Sequence, residues 1–230
     1  MSDLKLYSAR ACPFAHRTRL VLAEKKLAFE LVEIDLANKP AWFQGVSLYG
    51  KVPALEHRGQ RIVESAVINE YIDEVFPEPR LLPGDAAQRA LARIWIDFAN
   101  TRLAAAFTKV LWGATDAERD AGRGELTSAL ERIEGEALAQ LSGAGPYWFG
   151  AEPTLVDFAF YPWFERLPAF QEHTGLELPR GLERLGRWRE AVSQRSSVLE
   201  IANPTAFYLE RYRSYRRPAP SPQPARAKAS

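Results

Sequence analysis

The chain contains one cysteine, Cys12, in the stretch SARACPFAHRTRL (Ser8 to Leu20), where a short apolar strand pattern gives way to an amphipathic helical one. A cysteine reacts as its thiolate, and the free N–H groups at a helix N-terminus carry partial positive charge that favours an anion there. Pro13 fits the same reading, because the N–H it lacks would have no partner in the first helical turn. A small buried apolar cysteine satisfies the position equally well, so position alone does not choose between structure and chemistry. With no second cysteine the chain forms no internal disulfide, and any disulfide on Cys12 must be resolved by an external thiol. Cys12, His16, His57 and His173 show none of the paired spacing of zinc sites, so no metal is expected.

Three further stretches carry polar groups or backbone suited to a ligand. Glu64-Ser65 stands at a strand-to-helix junction, where serine is also an ordinary cap. KVPAL places Val52-Pro53 directly before a strand, and NKPAWF contains Lys39, which by itself reads as a solvated loop lysine. His16, four residues beyond Cys12, is either a proton donor near the thiol or a surface histidine, and the surface position is the expectation.

The elements that must position these residues follow from hydrophobic period. LKLYS and FELVEID read as strands on either side of a helix in which Phe14, Thr18, Val21 and Leu22 share a face. KVPALEH and RIVES are short strands joined by the turn RGQ, and SAVINEYIDEVF is a helix with Ile68, Tyr71, Ile72 and Val75 at helical spacing. This order, βαβ followed by ββα, predicts an α/β thioredoxin-like N-terminal domain with a mixed sheet. FPEPRLLPGD, with three prolines and a glycine, interrupts both periods and reads as a linker. Beyond it strands vanish. Helical patterns run near 86–112 (Leu91, Ile94, Trp95 and Phe98 on one face), 116–141, 155–170, 181–194 and 205–216. An all-α C-terminal domain is therefore expected, giving 1–77 as the thioredoxin-like domain, 78–87 as linker, 88–216 as the helical domain and 217–230 as a mobile tail. Thr154 and Asp157 form a capping box, and Pro162 predicts a kink or a disrupted turn.

Lys+Arg at 30 against Asp+Glu at 29 gives no charge excess to attract nucleic acid or an acidic membrane surface. The N-terminal stretch MSDLKLYSAR lacks the apolar core of a signal peptide, and no apolar run reaches about 18 residues, so a cytoplasmic protein with no membrane or nucleic-acid partner is expected.

Taken together, CPFAHRTRLVL, NKPAWF, KVPAL, Glu64-Ser65 and YPWFERL resemble the omega class of glutathione S-transferases, the cysteine type, in a bacterial-type relative, over nearly the whole chain to about Tyr212. The resemblance implies the two-domain transferase architecture, glutathione as co-substrate with no permanently bound cofactor, and a homodimer. It implies Cys12 as the catalytic cysteine and Phe14, Lys39, Val52, Glu64 and Ser65 as glutathione-binding residues. In that set Lys39 takes the glycyl end, the Val52 backbone pairs with the cysteinyl backbone beside a cis Pro53, and Glu64 with Ser65 hold the γ-glutamyl end. The chemistry is compatible. An extended tripeptide with two carboxylates and an amine needs a strand edge, cationic or N–H groups and an acid. CPFAHRT also partly resembles the glutathionyl-hydroquinone reductases, which carry tryptophan in place of Phe14.

The expected reaction is a monothiol one through a Cys12–glutathione mixed disulfide, with a small electrophilic or disulfide second substrate, and the resemblance implies deglutathionylation of small substrates or reduction of dehydroascorbate or quinone-like compounds. The alternatives are a glutathione-dependent lyase or dehalogenase acting on aromatic conjugates, and a noncatalytic binding or scaffold protein of transferase fold. Trp112, Tyr161, Trp163, Phe164, Arg166, Tyr208 and Tyr212 are candidates for the wall of the second-substrate pocket, although aromatics on helices usually serve the core.

Overall fold

A computed structural model describes residues 3–214. The expected tail, 217–230, lies outside the described residues. The first part runs β1 (Leu4–Ser8), α1 (Pro13–Glu24), β2 (Glu30–Glu33), a 3-10 turn (Ala41–Gly45), β3 (Ala54–His57), β4 (Gln60–Val63) and α2 (Ser65–Val75). The strands form one sheet in the order β2-β1-β3-β4. β1 and β2 are parallel, as α1 is long enough to cross over between them, and β1–β3 and β3–β4 are antiparallel. The β3–β4 hairpin closes at Arg58 and Gly59, both at positive φ (50° and 78°). Positive φ at both central residues is what a two-residue hairpin turn of matching twist requires.

Register decides the two faces of the sheet. Leu6 opposes Leu55 and joins Leu20, Val21, Leu22, Ile68 and Ile72 in the main core. Tyr7 opposes Ala54 on the other face and packs with Ala15, Ile34, Phe43 and Val52. α1 was expected to bury one stripe; instead every residue from Ala15 to Leu22 is buried. The helical domain explains this, because α1 lies between α2 on one side and helices of the second domain on the other.

The second part holds α3 (Ala86–Phe98), which continues through a π-helical turn (Ala99–Leu103) into α4 (Ala104–Trp112), then α5 (Asp116–Arg132), a second π turn (Ile133–Leu138) and α6 (Ala139–Leu141). α7 (Leu155–Glu165), α8 (Leu167–Thr174), α9 (Glu183–Ser193), α10 (Ser196–Ile201) and α11 (Thr205–Ser214) follow. Two differences from the sequence reading stand out. On α3 the buried face is Ala92, Trp95 and Ile96, while Leu91 and Ile94 are 39% and 61% exposed, so apolar spacing misjudged the face by about one residue. The pattern over 155–170 is two helices broken at Arg166, since Pro168 is tolerated only in a first turn; Pro162 stays inside α7. The short α10 gave no sequence signal.

Polar anchors fix the joints. Asp85 caps α3 by accepting from the N–H groups of Ala87 (2.9 Å) and Gln88 (3.0 Å). The buried Lys25 ammonium meets Asp73 at 2.8 Å and donates to the carbonyls of Phe76 and Pro79, while Asp73 accepts from the N–H groups of Leu81 and Leu82. The segment between α2 and α3 is thereby tied to the end of α1. The expected capping box is present: Asp157 accepts from the N–H and hydroxyl of Thr154 at 2.7 and 2.9 Å. It also takes the Trp148 N–H and the Trp188 indole N–H.

Candidate functional site

Cys12 is the N-cap of α1, with extended backbone (φ −80°, ψ 121°), and its carbonyl accepts the His16 N–H at 2.9 Å. The loop before it closes with the Cys12 N–H donating to Ala9 at 2.9 Å. The thiol is part-buried and lies 3.8 Å from the carbonyl oxygen of Val52. Residues 40 positions apart in sequence are thus joined because β1 and β3 are neighbours in the sheet and both deliver their ends to the same edge. The Val52–Pro53 peptide bond is cis.

Beside this contact is a recess of about 140 Å³ whose walls include Phe14, Val52, Pro53, Glu64 and Ser65. Four of the five residues expected to bind a ligand therefore meet in one place. Ser65 is the first residue of α2 and is buried; Glu64, its N-cap, is exposed and sits at φ 67°, ψ 110°. A non-glycine residue in that conformation is uncommon, and such backbone is retained where the surrounding structure requires it.

Lys39 is the exception. It is exposed, its ammonium donates to the carbonyl of Gly50 at 2.9 Å, and it is not among the residues walling the recess. Ser47, Tyr49 and Lys51 line it instead. Lys51 directly precedes Val52 in the quoted stretch KVPAL, so adjacency to a residue expected to bind a ligand was the signal available for it. The Ser47 hydroxyl fixes this corner by donating to the Lys51 carbonyl and accepting from its N–H.

The Phe14 ring packs edge-on against Trp163 at 5.7 Å, and Trp163 stacks on Phe107 at 5.2 Å, which links the recess to the helical domain. Of the aromatic wall candidates, Trp163 has a ring contact with a recess residue, and Trp112 is 45% exposed.

Two α1 side chains depart from expectation. His16, expected at the surface, is fully buried, because α7 covers that side of α1. Its ring nitrogen lies 3.7 Å from a carboxylate oxygen of Glu165. Burial, with help from Arg166 and Arg19, holds the imidazole well below its usual range, so it is neutral at pH 7. Burial likewise pushes the Glu165 carboxyl up, against the hydrogen bonds from Tyr208 and Asn203. Arg166 donates to the carbonyl of Ala11 at 3.2 Å, so the helical domain grips the residue just before Cys12. Arg17 is also buried, with its guanidinium 4.7 Å over the Phe14 ring. Nothing in the sequence distinguished it from a surface arginine.

Among the described residues no group of three or more His, Cys, Asp or Glu is placed to hold a metal, and no helix is long and apolar enough to cross a membrane.

Comparison with known proteins places this geometry in context. Residues 2–74 match the glutathione S-transferase N-terminal domain family, and residues 116–191 match the glutathione S-transferase C-terminal domain family. Glutathione S-transferase omega-1 of Sus scrofa is 34% identical over 169 residues, covering 73% of this chain and 68% of its own length. The crystal structure of glutathione transferase Omega 3C from Trametes versicolor superposes with a TM-score of 0.78 at 28% identity, over 92% of this chain and 91% of that one. Rice GST1, solved in complex with glutathione, superposes with a TM-score of 0.79 at 29% identity, over 91% and 96%.

Proposed function

The chain belongs to the glutathione S-transferase family, as an omega-class-like enzyme, and we propose that within it Cys12 acts as a monothiol nucleophile in glutathione-dependent thiol transfer or reduction. The observation that carries this reading is the Cys12 thiol at the start of α1, 3.8 Å from the Val52 carbonyl and beside a recess walled by Phe14, Val52, Glu64 and Ser65. The recess has the features that an extended tripeptide needs. The Val52 backbone supplies an edge, Glu64 an acid for the amine, and Ser65 with the first N–H groups of α2 a seat for the adjoining carboxylate. Lys39 and Lys51 supply cations for the glycyl carboxylate. The glutathione complex of rice GST1 supports a tripeptide in a site of this fold.

In the proposed cycle the Cys12 thiolate attacks the glutathionyl sulfur of a mixed disulfide. The S–S bond breaks, and the substrate sulfur leaves with the electron pair and takes up a proton. Cys12 is left as a disulfide with glutathione. A second glutathione, as thiolate, attacks that glutathionyl sulfur, giving oxidised glutathione and releasing the Cys12 thiolate. One reduced glutathione is consumed for each mixed disulfide: it leaves joined to the glutathionyl group taken from the substrate, as oxidised glutathione, and the substrate leaves as its thiol. Dehydroascorbate and quinone-type acceptors are the other substrates of this reading, with a homodimer in the cytoplasm as its setting.

The test is a mass measurement of the intact protein after treatment with oxidised glutathione. One glutathione adduct, mapped to Cys12 and removed by reduced glutathione, is the expected result. Absence of an adduct under conditions where iodoacetamide labels Cys12 would overturn the reading.

A further inference from the structure

Arg17 places a cation in the interior beside the candidate site without giving it a hydrogen-bond partner among the described residues. Its side chain is about 1% exposed, and none of its three guanidinium nitrogens has a hydrogen-bond partner among the described residues. The guanidinium lies 4.7 Å over the ring of Phe14, a wall of the recess. Burial pulls its pKa down to about 10, and the groups that act against this are Cys12 and Glu64. It therefore remains charged at pH 7. An arginine buried for structural reasons is normally paired, since its planar fork offers five donors and a buried charge is costly unless satisfied. The arrangement is the reverse of a structural ion pair: a buried cation stacked on Phe14, with Cys12 at the start of the same helix and Glu64 on the same recess.

We propose that Arg17 is an electrostatic positioning residue for Cys12, a buried fixed charge that favours the thiolate both before attack and when the cysteine sulfur leaves the glutathione mixed disulfide. The second half of this statement rests on the proposed function; the first does not. In the release step, the glutathione thiolate forms a bond to the glutathionyl sulfur while the Cys12–sulfur bond breaks. Its electron pair stays on Cys12, beside Arg17. Glu64 shares the same cation and so competes with Cys12 for it. When the amine of glutathione neutralises Glu64, more of the field falls on the thiolate.

The experiment measures Cys12 alkylation by iodoacetamide across pH, with no glutathione present, in wild type, Arg17→Met, Arg17→Lys and Glu64→Gln. Arg17→Met should slow alkylation at pH 7 about ten-fold and raise the pH of half-maximal rate by about one unit, the lower end of what a neighbouring opposite charge does. Arg17→Lys should restore most of the wild-type rate, and Glu64→Gln should exceed it. Iodoacetate gives an independent reading: its rate relative to iodoacetamide should fall in Arg17→Met, because the anionic reagent loses the attraction. Loss of a merely structural arginine would leave the iodoacetate-to-iodoacetamide ratio unchanged. Removing an unpaired buried charge in favour of an apolar side chain of similar shape should not lower thermal stability. A wild-type profile in Arg17→Met, or an Arg17→Lys variant as slow as Arg17→Met, overturns the proposal. Should Arg17→Met fail to fold by circular dichroism, an unchanged or slower Glu64→Gln overturns it instead. Because alkylation uses no glutathione, failure of the glutathione adduct experiment and failure of this one are separate results.

Discussion

The Cys12 thiol and the carbonyl oxygen of Val52 face each other at 3.8 Å across the ends of β1 and β3. A ligand whose backbone pairs with Val52 would bring its own sulfur to the thiol, which makes Cys12→Ser the most informative substitution. A hydroxyl is barely ionised at neutral pH and forms no disulfide, so reduction of a glutathionyl mixed disulfide should fall at least a hundred-fold, roughly the scale of losing an activated nucleophile. Glutathione binding should survive, and conjugation of glutathione to an activated aromatic halide should persist or appear. Wild-type disulfide reduction by the mutant would remove Cys12 from the mechanism.

Glu64 is exposed at the recess and makes no capping hydrogen bond to α2. If it pairs the glutathione amine, Glu64→Gln loses a charge-assisted bond worth about 1.5–3 kcal/mol, or roughly ten- to over a hundred-fold in affinity. Isothermal titration of glutathione into the variant checks this. An unchanged dissociation constant would mean that Glu64 serves only the start of α2.

Glu24 at the end of α1 is gripped by Arg195, which donates from Nε at 3.0 Å and from a terminal nitrogen, and by the Ser197 hydroxyl at 2.5 Å. Burial opposes its charge, but these bonds prevail and hold its pKa below the ordinary carboxylate value of 4.5. A carboxyl depressed in the folded state contributes stability above its unfolded pKa and loses it as pH falls through the folded one. The melting temperature should therefore drop faster below the ordinary carboxylate range in wild type than in Glu24→Gln. At pH 7 the substitution should lower it by roughly 2–4 °C, the effect of about 1 kcal/mol in a chain of this size. Parallel curves down to pH 3 would show that the pair contributes nothing to docking α1 on α10.

Asp157 accepts from the Thr154 N–H and hydroxyl, the Trp148 N–H and the Trp188 indole, all buried. Asp157→Ala strips four donors of one acceptor and should cost at least about 3 kcal/mol in denaturant unfolding, since leaving buried donors unpaired costs more than a typical bond is worth. Cys12 alkylation in the folded fraction should be unaffected. A loss under about 1 kcal/mol would show that water replaces the carboxylate.

Hydrophobic period and turn chemistry were enough for the order of elements, because short strands alternate and long helices repeat at 3.6 residues irrespective of neighbours. The RGQ hairpin, the break after α2 and the Thr154–Asp157 box were legible for the same reason: each is a local contract between residues a few positions apart. The candidate site was legible through contiguous stretches, Cys12 with Phe14, Val52, and Glu64 with Ser65. What the tertiary structure decided is everything that depends on the second domain covering α1. That cover buries His16 and Arg17, turns α1 from amphipathic to enclosed and hands Ala11 to Arg166. Sheet pairing likewise brought Val52 to the thiol, and the loop carrying Ser47 put Lys51 on the recess while Lys39 stayed at its backbone. Burial of a charged side chain is a property of what packs on it, and no period within α1 encodes α7.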